Sequence, residues 1–315
     1  MIRQRLFEAI DRLRPWKRGG TRAPHKPLTL LWALGRVRGR QPRLASFAAD
    51  AQEPIACLLK EFGPPRKTAH PENPFWHLQS EGEGELWAVV ADEPLSLPPR
   101  RSPTRRDLEA HGVRAGLSKA LHDRLCRDPE LLRETSDRIL FTHFPESLHD
   151  AIRDAVGLPR DAMTRGAMVR EGNTGDRAPR DPEFRHAVLR AYERRCAVCD
   201  FDLQIAGDLF GLEAAHIRWH SHDGPDLVPN GLALCVFHHR ALDRGVIGLE
   251  PAAGAHHLLV SNEVSGQSPA FRELLDSRGK PLRPPQEHSQ QPDAGFVAWH
   301  RREVFRGEPR SRPGL

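Results

Sequence analysis

The chain reads Cys196-Ala-Val-Cys199 and, further on, GLEAAHIRWHSHDGPDLVPNGLALCVFHHRALDRG at residues 211–245. The first stretch is a C-x-x-C pair, and Cys235 with His238 forms a C-x-x-H pair in the second. Two such pairs supply the four thiolate and imidazole donors of a tetrahedral structural zinc site. The sequence therefore predicts a zinc knuckle that holds two separate stretches of the chain together.

Three further polar residues, His216, Asn230 and His239, follow one another in the second stretch at intervals of 14 and 9 residues. With the zinc knuckle, this order resembles the HNH, or ββα-metal, nuclease family. The resemblance runs from the C-x-x-C pair to Asp243-Arg244-Gly245. It implies a strand–strand–helix core that hydrolyses phosphodiester bonds in DNA with the help of a divalent metal ion.

The chemistry explains why these residue types are needed. His216 can take a proton from water as general base, because the ordinary pKa of histidine lies near the working pH. By resemblance, Asn230 fixes the loop geometry, and His239 holds a catalytic Mg²⁺, Mn²⁺ or similar ion. Neighbouring helical residues differ in direction by about 100°, so His238 can serve the zinc while His239 serves the catalytic ion.

One position departs from the family pattern. Many HNH nucleases have Asp directly before the first histidine as a second metal ligand, whereas this chain has Ala215. The catalytic ion then needs another donor, and the candidate is Glu213, which lies on the same strand face as Ala215.

Composition and length indicate the number of domains, the charge of the partner and the cellular compartment. A chain of 315 residues exceeds the usual size of one domain, so we expect two. Lys and Arg number 47 against 42 Asp and Glu, a net charge of +5, which suits a polyanionic partner. Five cysteines, an odd number, favour metal binding in a reducing compartment over disulfides. The N-terminus lacks the apolar region of a signal peptide, and no stretch reaches the ~18 apolar residues of a membrane span, so we expect a cytoplasmic protein.

Hydrophobic periodicity predicts that the first part of the chain is a mostly helical α+β domain, followed by a linker. The resemblance to HNH nucleases implies a ββα-metal domain with a zinc knuckle after the linker, so the expected fold class is α+β. The expected domain bounds are 1–157, 158–182 for the Arg/Gly/Pro-rich linker, and 183–315. Helices are predicted at 2–13, 28–37, 53–62, within 107–125, 147–156, 183–195 and 269–277, and a hairpin is predicted between His70 and Val90.

The N-terminal half contains Arg22-Ala-Pro-His25-Lys26-Pro-Leu-Thr-Leu-Leu-Trp-Ala-Leu, followed by Asn73-Pro-Phe-Trp76-His-Leu-Gln and later by Leu-Trp87. These sequence segments resemble the sulfur-binding domain of phosphorothioate-dependent restriction endonucleases. In that family such a domain precedes a C-terminal HNH domain, which is the order found here. The resemblance implies that double-stranded, phosphorothioate-modified DNA is the partner.

A sulfur-selective pocket needs apolar surface around the sulfur and cations on the remaining oxygens, because sulfur is a larger atom and a poorer hydrogen-bond acceptor than oxygen. The residues assigned to this pocket are His25, Lys26, Asn73, Pro74 and His77. The family favours an aromatic residue at position 73 and a small one at 77, so the chain departs at both. Arg100 and Arg101 either contact phosphates or a guanine or belong to a solvated basic loop.

The main hypothesis is thus an endonuclease that recognises phosphorothioated DNA and cuts nearby. One alternative keeps the nuclease but has the N-terminal domain read another modification or a sequence. A second alternative is a DNA-binding protein whose zinc domain is only structural. A single HNH site can cut both strands either through a homodimer or through two successive nicks, and the sequence does not choose between them.

Overall fold

The chain divides into two compact units, residues 1–160 and 161–315. The computed structural model describes residues 3–13, 24–95, 98, 101–160, 182–251 and 255–311. Most of the predicted linker, residues 161–181, lies outside the described residues. Within the described part, no helix combines the length and the apolar character needed to cross a membrane.

The first unit is mostly helical. Its described helices are α1 (Arg3–Asp11), α2 (His25–Arg38), α3 (Gln52–Phe62), α4 (Glu72–His77), α5 (Arg105–Ala110), α6 (Lys119–Arg127), α7 (Pro129–His143) and α8 (His149–Val156). Its strands are β1 (Ala45–Ser46), β2 (Trp87–Val90) and β3 (Arg114–Leu117). They form an antiparallel sheet in which β3 lies between β1 and β2.

Helix α2 is the centre of this unit. Nearly every residue from Pro27 to Val37 is buried, as expected of a helix that is apolar on all sides. It packs against α3, α4, α6, α7 and α8. At Gly35 an added Cβ would lie 1.8 Å from the carbonyl oxygen of Val156, so a glycine is needed where α2 and α8 approach. The predicted helix is confirmed, but it begins at His25, in what was expected to be a loop.

The hairpin predicted between His70 and Val90 is wrong. Glu72–His77 forms α4, and β2 pairs with β3 instead. The helical turn buries Phe75, whose carbonyl accepts a hydrogen bond from the indole of Trp87 at 2.9 Å. The region 107–125, expected to be helical, is interrupted by β3, which gives β2 its partner.

The second unit has its own hydrophobic core. Its described helices are α9 (Pro182–Ala191), α10 (Val236–Asp243), α11 (Pro269–Asp276) and α12 (Ala294–Glu303). Its strands pair as three antiparallel ribbons, β4 (Gln204–Ile205) with β5 (Asp208–Leu209), β6 (Leu212–His216) with β7 (Gly231–Cys235), and β8 (Ile247–Glu250) with β9 (His257–Val260).

Strands β6 and β7 with helix α10 form the predicted ββα motif. The register pairs Leu212 with Cys235 and His216 with Gly231, and α10 follows β7 without a loop. Helix α9 packs across both strands. At Gly231 an added Cβ would lie 2.4 Å from a methyl of Val188, so glycine allows α9 to approach the ribbon. The α+β fold with this motif is confirmed.

Candidate functional site

Three cysteines and one histidine converge where β7 passes into α10. Their ligand atoms all lie within 4.8 Å of one another, and the set is Cys196, Cys199, Cys235 and His238. Nδ1 of His238 is 3.2 Å from Sγ of Cys235 and 3.6 Å from Sγ of Cys196. Donors of a tetrahedral ion at about 2.0–2.3 Å would be roughly 3.5–3.8 Å apart, so these residues fit a metal ion. Hydrogen bonds from the other two thiols lower the pKa of Cys196, which favours the thiolate that binds metal.

The adjacent His239 has a different set of partners. Its Nδ1 is 2.6 Å from Oε2 of Glu213 on β6, and its Nε2 is 3.3 Å from Oδ2 of Asp243, one turn later on α10. Burial opposes protonation of the ring, but Asp243 and Glu213 outweigh it and raise the pKa of His239 to about 9. One imidazole is thus held between two carboxylates, a donor set suited to a divalent cation.

His216 lies at the end of β6 and is held on two sides. Its Nε2 is 2.7 Å from Oδ1 of Asp226. Its ring stacks on Phe184 of α9, with the centroids 4.1 Å apart and the planes inclined by 17°. The side chain of His216 is 10% exposed and that of Asp226 is 22% exposed. A histidine that is paired with a carboxylate and partly accessible to solvent can accept and release protons.

Asn230 is fully buried, and its side chain forms hydrogen bonds to the backbone of the loop between β6 and β7. Its Oδ1 accepts a hydrogen bond from the backbone N–H of Arg218 at 2.8 Å. Its Nδ2 donates to the carbonyls of Arg218 at 3.0 Å and Pro225 at 2.9 Å. The amide thereby satisfies three backbone groups and fixes the loop that carries Asp226.

Two acidic residues of this site were not predicted from the sequence. Asp243 could have been found, because it lies four residues after His239 and a helix places such residues on one face. Asp226 gave no signal, because only the folded path of the loop brings it to His216.

In the first unit, the five residues assigned to the sulfur pocket lie on α2 and α4, which pack against each other. His25 and Lys26 occupy the first turn of α2, while Asn73, Pro74 and His77 belong to α4. Pro74 is buried, Asn73 is exposed, and the other three are half-buried. The two helices thus carry a cation, a proline ring, an amide and two imidazoles.

The polar contacts of this group are specific. Nζ of Lys26 forms an ion pair with the carboxylate of Glu81, whose side chain is 10% exposed. Nε2 of His77 is 2.9 Å from Oγ of Ser102. Burial and the charge of Lys26 lower the pKa of His77, so this ring is neutral at neutral pH. Glu81 and Ser102 were not predicted from the sequence.

The basic run that follows is only partly described. Arg100 lies outside the described residues. Arg101 is exposed, and its guanidinium lies 3.1 Å from Oδ2 of Asp107. The same carboxylate accepts from the backbone N–H of Thr104 in the capping box that begins α5. This pairing holds Arg101 at the N-terminus of α5.

Comparison with protein families gives two matches, one in each unit. Residues 3–161 match the model described as a ScoMcrA-like DNA sulfur-binding domain, and residues 196–250 match an HNH endonuclease model. The first match covers half of the chain. The predictions of a sulfur-binding domain, followed by an HNH domain of a metal-dependent DNA endonuclease, are therefore confirmed. No curated protein gives a significant match.

Several solved structures are similar to the first half of the chain. The sulfur-binding domain of ScoMcrA complexed with phosphorothioated DNA is 27% identical, with a TM-score of 0.41, over 50% of this chain and 96% of that chain. The corresponding domain of SprMcrA, also complexed with phosphorothioated DNA, is 21% identical, with a TM-score of 0.40, over 50% and 95%. The type IV phosphorothioation-dependent restriction endonuclease ScoMcrA is 26% identical, with a TM-score of 0.39, over 50% and 28%.

The chain thus spans nearly all of the isolated ScoMcrA domain but only 28% of the ScoMcrA endonuclease chain. All three TM-scores are below 0.5, so the assignment rests on the family models rather than on these superpositions. On the match over residues 3–161, the chain belongs to the family of the ScoMcrA-like DNA sulfur-binding domain.

Proposed function

We propose that the chain is a modification-dependent restriction endonuclease. Residues 1–157 would bind phosphorothioated double-stranded DNA, residues 158–182 would link the domains, and residues 183–315 would hydrolyse a phosphodiester bond nearby. The observation that carries the proposal is the pairing of His216 with a carboxylate on a ββα motif, in a chain that begins with a sulfur-binding domain. The match of residues 3–161 to a DNA sulfur-binding domain supports the choice of ligand.

The cluster of three cysteines and His238 would hold a structural Zn²⁺. Thiolates select zinc over magnesium, calcium or manganese, and a site with four protein ligands leaves no position for a substrate. The ion would join the C-x-x-C turn after α9 to the start of α10. Its role is to hold the helix on which His239 lies.

The catalytic cation would be Mg²⁺ or Mn²⁺, held by His239 with the carboxylates of Asp243 and Glu213. These side chains supply the oxygen donors that both ions prefer, and they compensate for the missing acidic residue at Ala215. A bound divalent cation supplies positive charge for the phosphate as negative charge develops on it.

His216 would act as the general base. The attacking water gives its proton to the imidazole as its oxygen bonds to phosphorus. The bond from phosphorus to the leaving oxygen breaks, and that oxygen keeps the electron pair and is protonated by solvent. Asn230 would not touch the reacting atoms; it holds the loop whose Asp226 contacts the base.

In the first unit, the ring of Pro74 and the carbon atoms of His25 and Lys26 would face the sulfur. The ammonium group of Lys26 would attract the remaining phosphate oxygens. His77 is neutral and half-buried, so it can close the pocket without adding charge. Asn73 is exposed beside it, and Arg100 and Arg101 would contact neighbouring phosphates.

The decisive experiment compares cleavage of matched phosphorothioated and unmodified duplexes in Mg²⁺ or Mn²⁺. The proteins are the wild type, His216→Ala and the control His288→Ala, which changes an exposed histidine of the same unit. We expect only the modified duplex to be cut, by the wild type and the control but not by His216→Ala. Cleavage of both duplexes would discard sulfur recognition and keep the nuclease. No cleavage with either metal would favour a DNA-binding protein without activity.

A second variant isolates the recognition step. Pro74→Ala should weaken binding to the phosphorothioated duplex more than binding to the unmodified duplex, because the proline ring offers apolar surface to sulfur. Equal loss on both substrates would mean that the domain reads another feature of the DNA. A time course on supercoiled plasmid, resolving nicked from linear product, separates successive nicks from cutting by a dimer.

A further inference from the structure

Asp226 lies within the HNH region, but it is not one of the three residues, His216, Asn230 and His239, that define the motif. It belongs to the loop between β6 and β7, ten residues after His216 along the chain. Asn230 binds the backbone of this loop at Arg218 and Pro225, the residue directly before Asp226. A buried side chain therefore fixes the position from which Asp226 reaches the histidine.

The contact is close and partly shielded from water. Oδ1 of Asp226 is 2.7 Å from Nε2 of His216, whose side chain is only 10% exposed. Phe184 covers a face of the imidazole, which restricts rotation of the ring. His220 is a weaker neighbour, since its Nε2 is 3.9 Å from the other oxygen of Asp226, beyond hydrogen-bond distance. The carboxylate is thus directed at His216.

A carboxylate in this position controls which nitrogen of a histidine carries the proton. When Nε2–H donates to Asp226, Nδ1 is the nitrogen that accepts a proton. After proton transfer the ring is an imidazolium, and the adjacent negative charge stabilises it, as in other histidine–carboxylate pairs.

We propose that Asp226 is a positioning residue for the general base: it fixes the Nε2–H tautomer of His216, directs Nδ1 to the attacking water and stabilises the imidazolium. The inference rests on the proposed function, because it requires His216 to act as a base. Asp226 would be a further residue of the site, in addition to the three motif residues.

The kinetic test compares Asp226→Asn with Asp223→Asn, the same exchange at a residue of this loop whose side chain is 81% exposed. We expect Asp226→Asn to lower kcat about 10- to 100-fold, part of the 10²–10⁴ that a general base supplies, with KM nearly unchanged. Equal kcat values for the two Asn variants, or a loss that falls on KM rather than on kcat, would overturn the proposal.

A spectroscopic test needs no DNA and no cleavage. In ¹⁵N-labelled full-length protein, the neutral form of His216 should carry its proton on Nε2, and Asp226→Asn should mix the two tautomers. A neutral His216 with its proton on Nδ1 in the wild type would overturn the proposal even if Asp226→Asn does not fold. If the tautomer is as expected but the wild type cuts no DNA, the proposed function fails and the histidine–carboxylate pair stands.

Discussion

The most direct test of the site's architecture is the substitution Asn230→Ala. The asparagine side chain is fully buried and makes three hydrogen bonds to the backbone of its own loop. Each such bond contributes about 1 kcal/mol net, and a buried partner left unpaired costs about 1–3 kcal/mol. We therefore expect the free energy of unfolding of this unit to fall by about 3 kcal/mol, a large part of the 5–15 kcal/mol typical of a domain.

The assay is native-state hydrogen exchange of the full chain, read by mass spectrometry on peptides from residues 212–235. Leu227→Ala is the control, because this side chain of the same loop is 57% exposed and should change stability little. Asn230→Asp keeps an acceptor for the N–H of Arg218 but turns a carboxylate oxygen toward two carbonyls, so it should destabilise at least as much. A loss below about 1 kcal/mol for Asn230→Ala, or an Asp variant as stable as the wild type, would refute the reasoning.

Three further predictions concern the metals and the DNA-binding unit. Cys235→Ser should release zinc and abolish cleavage while binding to phosphorothioated DNA persists, as measured by metal content, nuclease assay and gel shift; full cleavage without zinc would contradict it. Asp243→Asn should weaken Mn²⁺ binding about 10-fold or more by calorimetry, whereas the exposed control Glu250→Gln should not; equal affinities would exclude Asp243 from the site. The lowered pKa of His77 means that folding favours its neutral form. The resulting stability is complete above the unfolded pKa near 6.5 and is lost as pH falls from there through the lower folded pKa. The free energy of unfolding, measured by chemical denaturation, should therefore decline less steeply below pH 6.5 in His77→Gln than in the wild type. An equally steep decline in both proteins would contradict the prediction.

The ββα motif was predictable because its signals are local. Each half of the zinc site is a pair of residues three positions apart, and the apolar runs around His216 and before Cys235 have strand length. The long apolar helix α2 was predictable for the same reason. In each case the residues that define the element are close together in the sequence.

The errors arose where partners distant in sequence decide the structure. The segment 72–77 is too short for periodicity to separate helix from strand, and it becomes helical because Phe75 packs inward and accepts a hydrogen bond from Trp87. Strand β3 is four residues long and is a strand because it pairs with both β1 and β2.

The site shows the same limit. Helix spacing alone could have suggested Asp243, whereas the contact of Asp226 with His216 depends on a loop held by a buried amide. In the first unit, the ion pair of Lys26 with Glu81 joins residues 55 positions apart. Sequence reasoning gave the residue types for the chemistry but could not give these neighbours.

The two adjacent histidines of α10 also constrain how this nuclease can evolve. His238 faces the cysteine cluster and His239 faces the two carboxylates. Both sites therefore depend on the position of one short helix. A single insertion or deletion ahead of them would turn both side chains away from their partners in one event. Changes to the chemistry of this helix therefore have to be made by substitution in place.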